Sequence, residues 1–225
     1  MDKIRIHFSK TVNDYDTVVD KVVFKNDELH RELINAISFD KDKELNILDL
    51  GCGTGHGMKI AAERFAKAKL TGIDFSPIMI EKAKNNLLFF SKRVQLLELD
   101  FNDYKFDQKY DVIISAIAIH NCTHDEKRKL FKKIFDSLNE GGLFINADFY
   151  EHDSANLNDE LKNIYRNFLK QNLKGDELDV WLKHAFEEDM PMTLSQQSSV
   201  LQEIGFSGFK LIWMFNNEAV YVAGK

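Results

Sequence analysis

The sequence is short of cysteine, proline, long apolar runs and clustered positive charge, and each shortage narrows what the chain can be. Only two cysteines, Cys52 and Cys122, occur in 225 residues. That is too few for the disulfide frameworks of small secreted scaffolds, and both fall beside candidate ligand-binding turns. No apolar run reaches the ~18–20 residues that a helix needs to span a bilayer. The start, Met1-Asp2-Lys3-Ile4-Arg5, leads into charged residues rather than an apolar stretch, so no secretory signal is read and a cytoplasmic protein without a membrane partner is expected. The formal net charge is -6, and lysines alternate with acids as in Asp40-Lys41-Asp42-Lys43-Glu44. A solvated surface fits that pattern better than the basic stripe of a nucleic-acid binder, so no nucleic-acid partner is expected. There is no internal repeat, and the only prolines are Pro77 and Pro191.

What is present is room for one well-buried α/β domain, with 44% hydrophobic residues. Short apolar runs at 46–50, 70–74, 94–99, 110–115 and 143–147 read as strands. Amphipathic stretches at 56–68, 78–88 and 125–138 read as helices between them, the second opened by Ser76 as cap and Pro77 in its first turn. Gly141-Gly142 reads as the end of the third helix. Strands alternating with helices imply a mostly parallel sheet covered on both faces. One helical stretch is expected over 14–38, and a long helical insertion over 152–190. A helix at 194–204 precedes two apolar runs, 209–215 and 219–223, that read as an antiparallel hairpin. Residues 1–40 would form an N-terminal helical cap and 152–190 a helical lid, both at the rim of a single 1–225 domain.

The segment Asp49-Leu50-Gly51-Cys52-Gly53-Thr54-Gly55-His56-Gly57 lies where a strand turns sharply into a helix. Glycines there permit unusual backbone angles and let a ligand approach the main chain. The dinucleotide spacing G-x-G-x-x-G fails, because the third glycine would have to stand at His56, and no Gly-Lys-Ser/Thr follows for a P-loop. Asp74 ends the second strand about 20 residues further on, where nucleotide-binding α/β folds set a carboxylate against ribose hydroxyls.

These residues resemble the cofactor motif of the class I S-adenosylmethionine-dependent methyltransferases, and the resemblance runs from about Asn46 through Lys225. It implies a Rossmann-like three-layer sandwich with a seven-stranded, mostly parallel sheet, an antiparallel C-terminal hairpin and a helical lid insertion. It implies S-adenosyl-L-methionine as cofactor, released as S-adenosyl-L-homocysteine. By the same resemblance Asp49 holds the cofactor's amino group, and Gly51, Cys52, Gly53, Thr54 and Gly55 lie against its methionine and ribose portions. Asp74, with Phe75 and Met79 in the Phe75-Ser76-Pro77-Ile78-Met79 continuation, meets the ribose; Asp100 and Phe101 meet the adenine. Ser115 and Ala116, in Tyr110-Asp111-Val112-Ile113-Ile114-Ser115-Ala116, match the fourth-strand motif. Leu138-Asn139-Glu140-Gly141-Gly142 resembles the turn before the fifth strand.

Methyl transfer asks the protein to align a nucleophile, exclude water and sometimes remove a proton. His120, beyond the fourth strand, is the leading catalytic candidate, either as general base or as an orienting group. Tyr15, in Asn13-Asp14-Tyr15-Asp16, resembles the N-terminal tyrosine that closes over the methyl donor in several small-molecule members. Cys122 reads as a small buried residue. His120, Cys122 and His124 raise a metal question, but no further ligand cluster accompanies them, so no metal is expected. In the insertion, Tyr165 and Arg166 are substrate candidates, while Phe168 and Trp181 read as its core. The expected partner is a small-molecule methyl acceptor, with a homodimer left open. A carboxy-S-adenosylmethionine synthase, which the layout also resembles, and an RNA or protein methyltransferase are the alternatives. The first needs an arginine for its extra carboxylate, and only Arg166 is available for it.

Overall fold

A computed structural model describes residues 15–225, with side chains described from Val18 onward. Seven strands form one sheet: β1 (Asn46–Leu50), β2 (Lys69–Asp74), β3 (Val94–Glu98), β4 (Tyr110–Ala116), β5 (Leu138–Phe149), β6 (Ser207–Phe215) and β7 (Glu218–Gly224). Their order is β3-β2-β1-β4-β5-β7-β6. The first five run parallel, and β7 lies antiparallel between β5 and β6. Chain direction outward from the centre reverses between β1 and β4, which leaves a crevice at their carboxyl ends.

Period-two alternation assigns the central strands to two cores. Ile47, Val112 and Ile114 join Leu33, Ile34, Met58 and Phe65 on one face. Leu48, Leu50 and Ile113 join Phe131, Phe144 and Leu201 on the other. The first face is covered by α2 (Asn26–Asn35), α3 (His56–Arg64) and α4 (Pro77–Asn86), the second by α5 (His124–Ser137) and α8 (Leu194–Ile204). A third cluster ties α1 (Tyr15–Val22) through Val18 and Val22 to Phe149 at the end of β5. It also takes in Tyr165 and Leu169 of α6 (Ala155–Asn172) and Trp181 of α7 (Gly175–Lys183). Trp181 therefore packs in the insertion's core, as read from sequence, and Phe168 lies against the same cluster, stacked on Phe24 at 4.2 Å. No described helix is long and apolar enough to cross a membrane.

Two expectations change. The single helix over 14–38 is two, because the Phe24 amide, which would continue it, donates instead to Oε1 of the buried Glu218 at 2.7 Å. Gly141-Gly142 does not end a helix; α5 stops at Ser137 and β5 begins at Leu138. Gly141 takes φ +73 inside a strand whose register against β4 shifts between Tyr110 and Val112. A Cβ on Gly142 would meet the Asn139 carbonyl at 2.8 Å, so close packing demands glycine there. The inserted segment consists of α6 and α7 followed by one π-helical turn, His184–Glu188, with Gly175 at φ +55 opening α7.

Candidate active site

One cavity of about 420 Å³ opens at the carboxyl ends of β1, β2 and β4. The glycine turn forms its floor. Gly51 sits at φ +75, and a Cβ there would lie 2.5 Å from that of Ala118, so the Ala118 side chain in the post-β4 loop packs directly on the Gly51 backbone. Gly53 is also left-handed, at φ +52, but a Cβ would meet nothing within 4 Å. Its open side is space for a ligand. Gly55, at φ +83, caps α3 and packs on Leu87.

Two carboxylates frame this turn. Asp74 accepts from the Gly53 amide through Oδ2 and from the Ser76 amide through Oδ1, both at 2.9 Å. Ser76 caps α4 through its hydroxyl, which accepts from the Met79 amide. Burial raises the Asp74 carboxyl to about 6 despite those bonds. Asp49, beneath the turn and not itself part of the cavity wall, is 4% exposed, and its Oδ1 has no hydrogen-bond partner. Burial first, and the charge of Asp74 second, push it up to about 7. A buried acceptor without a donor is expensive to maintain, so its natural complement is a cationic or N–H-bearing ligand group.

The remaining wall comes from several elements. Phe75 and Met79 line it at the start of α4, and Asp100 and Phe101 follow β3. Asp100 is buried and accepts from the Asn102 amide at 2.9 Å. Cys52, Thr54, Ala116 and Cys122 also face the cavity. Burial raises both thiols, that of Cys122 to about 11, which keeps them protonated. From the opposite side come residues with no signal in the sequence: Val19 and Asp20 of α1, and Asn26, Asp27 and His30 of α2. The His30 ring meets that of His56 edge-on at 4.8 Å. Burial, then the charge of His56, lowers His30 to about 4, so it is neutral at physiological pH.

Other sequence candidates lie elsewhere. Ser115 is fully buried and donates its hydroxyl to the Leu50 carbonyl at 2.7 Å, outside the cavity wall. Tyr165 is buried against Phe149 and donates to the Val22 carbonyl at 3.0 Å, outside the same wall. Arg166 lies over the Phe186 ring and donates to Asn163, again away from the cavity. The side chain of Tyr15 lies outside the described residues.

His120 is also absent from the cavity wall. It is 4% exposed on a single 3₁₀ turn, Ile119–Asn121. Its Nδ1 meets Asp148 Oδ1 at 2.5 Å, and its amide donates to Asp148 Oδ2 at 2.9 Å. Burial alone would lower its pKa, but the charges of Asp148 and Asp189 outweigh it and raise the imidazole above its ordinary value. Its ring borders a separate space of about 20 Å³, shared with Tyr165, Trp181, His184 and Asp189. Val19 and Ile117 line both spaces and stand between them. His120, Cys122 and His124 do not converge: Cys122 faces the large cavity and His124 is exposed at the start of α5. The imidazole is grouped with His184 and Asp189 instead, a different set from the His120, Cys122 and His124 trio that the sequence raised and set aside.

Residues 47–142 match the family described as "Methyltransferase domain". The carboxy-S-adenosyl-L-methionine synthase of Nautilia profundicola is 28% identical over 203 residues, covering 89% of this chain and 85% of the relative. The malonyl-[acyl-carrier protein] O-methyltransferase of Acetivibrio thermocellus is 36% identical over 146 residues, but covers only 65% of this chain and 49% of the relative. Human N-acetylserotonin methyltransferase, solved in complex with S-adenosylmethionine, superposes with a TM-score of 0.63 at 19% identity over 87% of this chain. The chain spans about half the length of that solved structure, 51%.

Proposed function

From the class I S-adenosylmethionine-dependent methyltransferases, the family to which this chain belongs, we propose a cytoplasmic member that methylates a small-molecule acceptor. The observation carrying this reading is that one cavity gathers the glycine turn, the carboxylate ending β2 and the Asp100-Phe101 pair after β3. The residues present fit the cofactor. The orphaned Asp49 Oδ1 complements its amino group. Asp74 already accepts one backbone N–H on each oxygen and keeps lone pairs for two ribose hydroxyls. Asp100, with the Phe101 ring beside it, takes the adenine, and the open face of Gly53 gives room for close approach.

S-adenosylmethionine supplies a sulfonium-activated methyl group for in-line displacement. The chain's own share is alignment and exclusion of water. Val19, Asn26 and His30 cover the side of the cavity facing the glycine turn, and Ile117 stands at its boundary with the insertion. We place the acceptor on that side. His120 acts on the post-β4 loop rather than on the acceptor: its Nδ1 is committed to Asp148 and its ring faces the smaller space behind Ile117. A small acceptor suits a cavity of this size, and the net charge of -6 weighs against an RNA substrate.

The second reading, a carboxy-S-adenosylmethionine synthase, is favoured by near full-length similarity to proteins of that name. Against it stands the cavity wall: among the described residues it carries no arginine, and Lys59 is its only lysine. A carboxylated donor would be paired less well by lysine than by a bidentate guanidinium. Mass spectrometry of the ligand released from purified protein separates the two, since only the second yields a carboxylated sulfonium. The cofactor site itself is tested by Asp74→Ala, which should weaken S-adenosylmethionine binding at least about tenfold, roughly 1.4 kcal/mol. Unchanged affinity would remove the site assignment.

A further inference from the structure

Among the described residues outside the donor cavity, one group of unused chemistry lies where the insertion meets the ends of β4 and β5. His120, His184 and Asp189 each offer a ligand atom there, all within 4.8 Å of one another. We propose that these three side chains form a binding site for a single divalent transition-metal ion of the zinc class, which clasps the inserted segment to the sheet.

Four observations carry this. Asp189 Oδ1 lies 3.5 Å from His184 Nε2 and 3.8 Å from His120 Nε2. Ligand atoms about 2.0–2.1 Å from a tetrahedral zinc stand roughly 3.3 Å apart, so two of the three edges need only a few tenths of an ångström. The Asp189 side chain is 9% exposed, and its Oδ1 has no hydrogen-bond partner although it points into the cluster. An unpaired buried carboxylate oxygen calls for a cation. Each imidazole also has a carboxylate on its other nitrogen: Asp148 meets His120 Nδ1 at 2.5 Å, and Glu188 lies 3.5 Å from His184 Nδ1. Carboxylates placed behind ligating histidines fix the tautomer and raise the ligand's basicity. Finally, the space bordered by the three residues is about 20 Å³, the size for one ion or one water, which leaves a fourth position open.

The groups now holding the cluster are compatible with exchange for an ion. The Asn121 side-chain amide donates to His120 Nε2 at 3.1 Å, marking that nitrogen as the lone-pair side of the ring. The nearby Lys127 ammonium is turned aside to the Met190 carbonyl. Zinc bound here would join Asp189 and the π-helical turn bearing His184 to the His120 turn after β4. The Met190 amide already donates to the His120 carbonyl at 3.0 Å, so the two segments are in register for it.

The test uses the full chain, stripped with chelator and titrated with zinc alone. Uptake of about one zinc per chain is expected, with a rise in melting temperature, and Co²⁺ should give the visible bands of a tetrahedral nitrogen–oxygen site. His184→Gln and Asp189→Asn should each weaken uptake at least about tenfold while S-adenosylmethionine binding stays within about twofold. His56→Gln, which alters the other close histidine pair, should leave uptake intact. Circular dichroism of each variant separates lost ligation from lost folding, and the Co²⁺ spectrum needs no variant. No uptake by the wild-type chain, an octahedral Co²⁺ spectrum, undiminished uptake in both ligand variants, or loss through His56→Gln alone would each overturn the proposal.

Discussion

Replacing Asp49 by Asn should make the ligand-free protein's stability less sensitive to pH, and the size of the effect follows from the carboxylate's isolation. Burial and Asp74 raise Asp49 from an ordinary 3.8 to about 7 in the fold. Between those values the folded chain keeps a proton on Asp49 that the unfolded chain has lost. Stability from this group is therefore greatest below pH 4, declines as pH rises, and levels off above pH 7. At roughly 1.4 kcal/mol per pH unit the full decline would be ~4 kcal/mol. About 60% of that decline, roughly 2–3 kcal/mol, falls between pH 5 and pH 8. Asn cannot ionise, so the variant lacks the decline. Its buried amide adds a penalty of about 1–3 kcal/mol for unpaired N–H groups, but that penalty is the same at every pH. Urea unfolding of both proteins at pH 5 and pH 8, without ligand, isolates the pH-dependent part. The stability difference, variant minus wild type, should move in the variant's favour by roughly 2–3 kcal/mol from pH 5 to pH 8. Calorimetric titration with S-adenosylmethionine should show the opposite effect on function. Loss of a charge-assisted bond to the amino group weakens binding by about 1.5–3 kcal/mol. A stability difference equal at the two pH values would refute the account of Asp49 as an unpaired buried carboxylate.

Gly51→Ala places a methyl 2.5 Å from Ala118 Cβ in a backbone conformation of φ +75. It should lower unfolding stability by about 1–3 kcal/mol and weaken donor binding, with Ala118→Gly restoring part of the stability in the double variant. Ser115→Ala removes the donor to the Leu50 carbonyl, so about 1 kcal/mol of stability should be lost while donor affinity, measured by calorimetry, stays within about twofold. Cys52 and Cys122 should react slowly with iodoacetamide at pH 7.5, because burial keeps both thiols protonated. S-adenosylmethionine should slow their labelling further, since both line the donor cavity; peptide mass spectrometry reads each site separately.

The strands were legible because each is a compact apolar run whose alternation survives in the two cores: Ile47 faces one way and Leu48 the other. Ser76-Pro77 was legible because capping is decided within four residues. The break after Val22 was not, because the carboxylate that captures the Phe24 amide belongs to Glu218, 194 residues away. Local helical periodicity carries no trace of such a partner. Gly141-Gly142 misled for a related reason. Glycine pairs end helices through positive φ, but here the positive φ of Gly141 serves a bulged strand whose need is set by its neighbour β4.

The same division runs through the site. Its donor half is built from strand-end segments in which sequence spacing is also spatial spacing, so Asp49, the glycine turn, Asp74 and Asp100 could be found together. The other half is assembled across the chain. His120 is surrounded by Asp148 from β5 and by His184 and Asp189 from the insertion, and no spacing rule joins these four. Ile117 stands where the halves meet, lining both spaces. It holds φ +51, a conformation that costs a β-branched residue about 1–3 kcal/mol, while its amide donates to the Ala147 carbonyl at 2.8 Å. That strain makes sense if Ile117 is the partition between the donor cavity and the His120 cluster. A relaxed backbone would swing the side chain out of the boundary, whereas the bond to Ala147 fixes it there. On the proposed reading, acceptor choice is a property of Val19, Ile117 and the helices packed over them, and of how the His120 cluster holds the insertion in place.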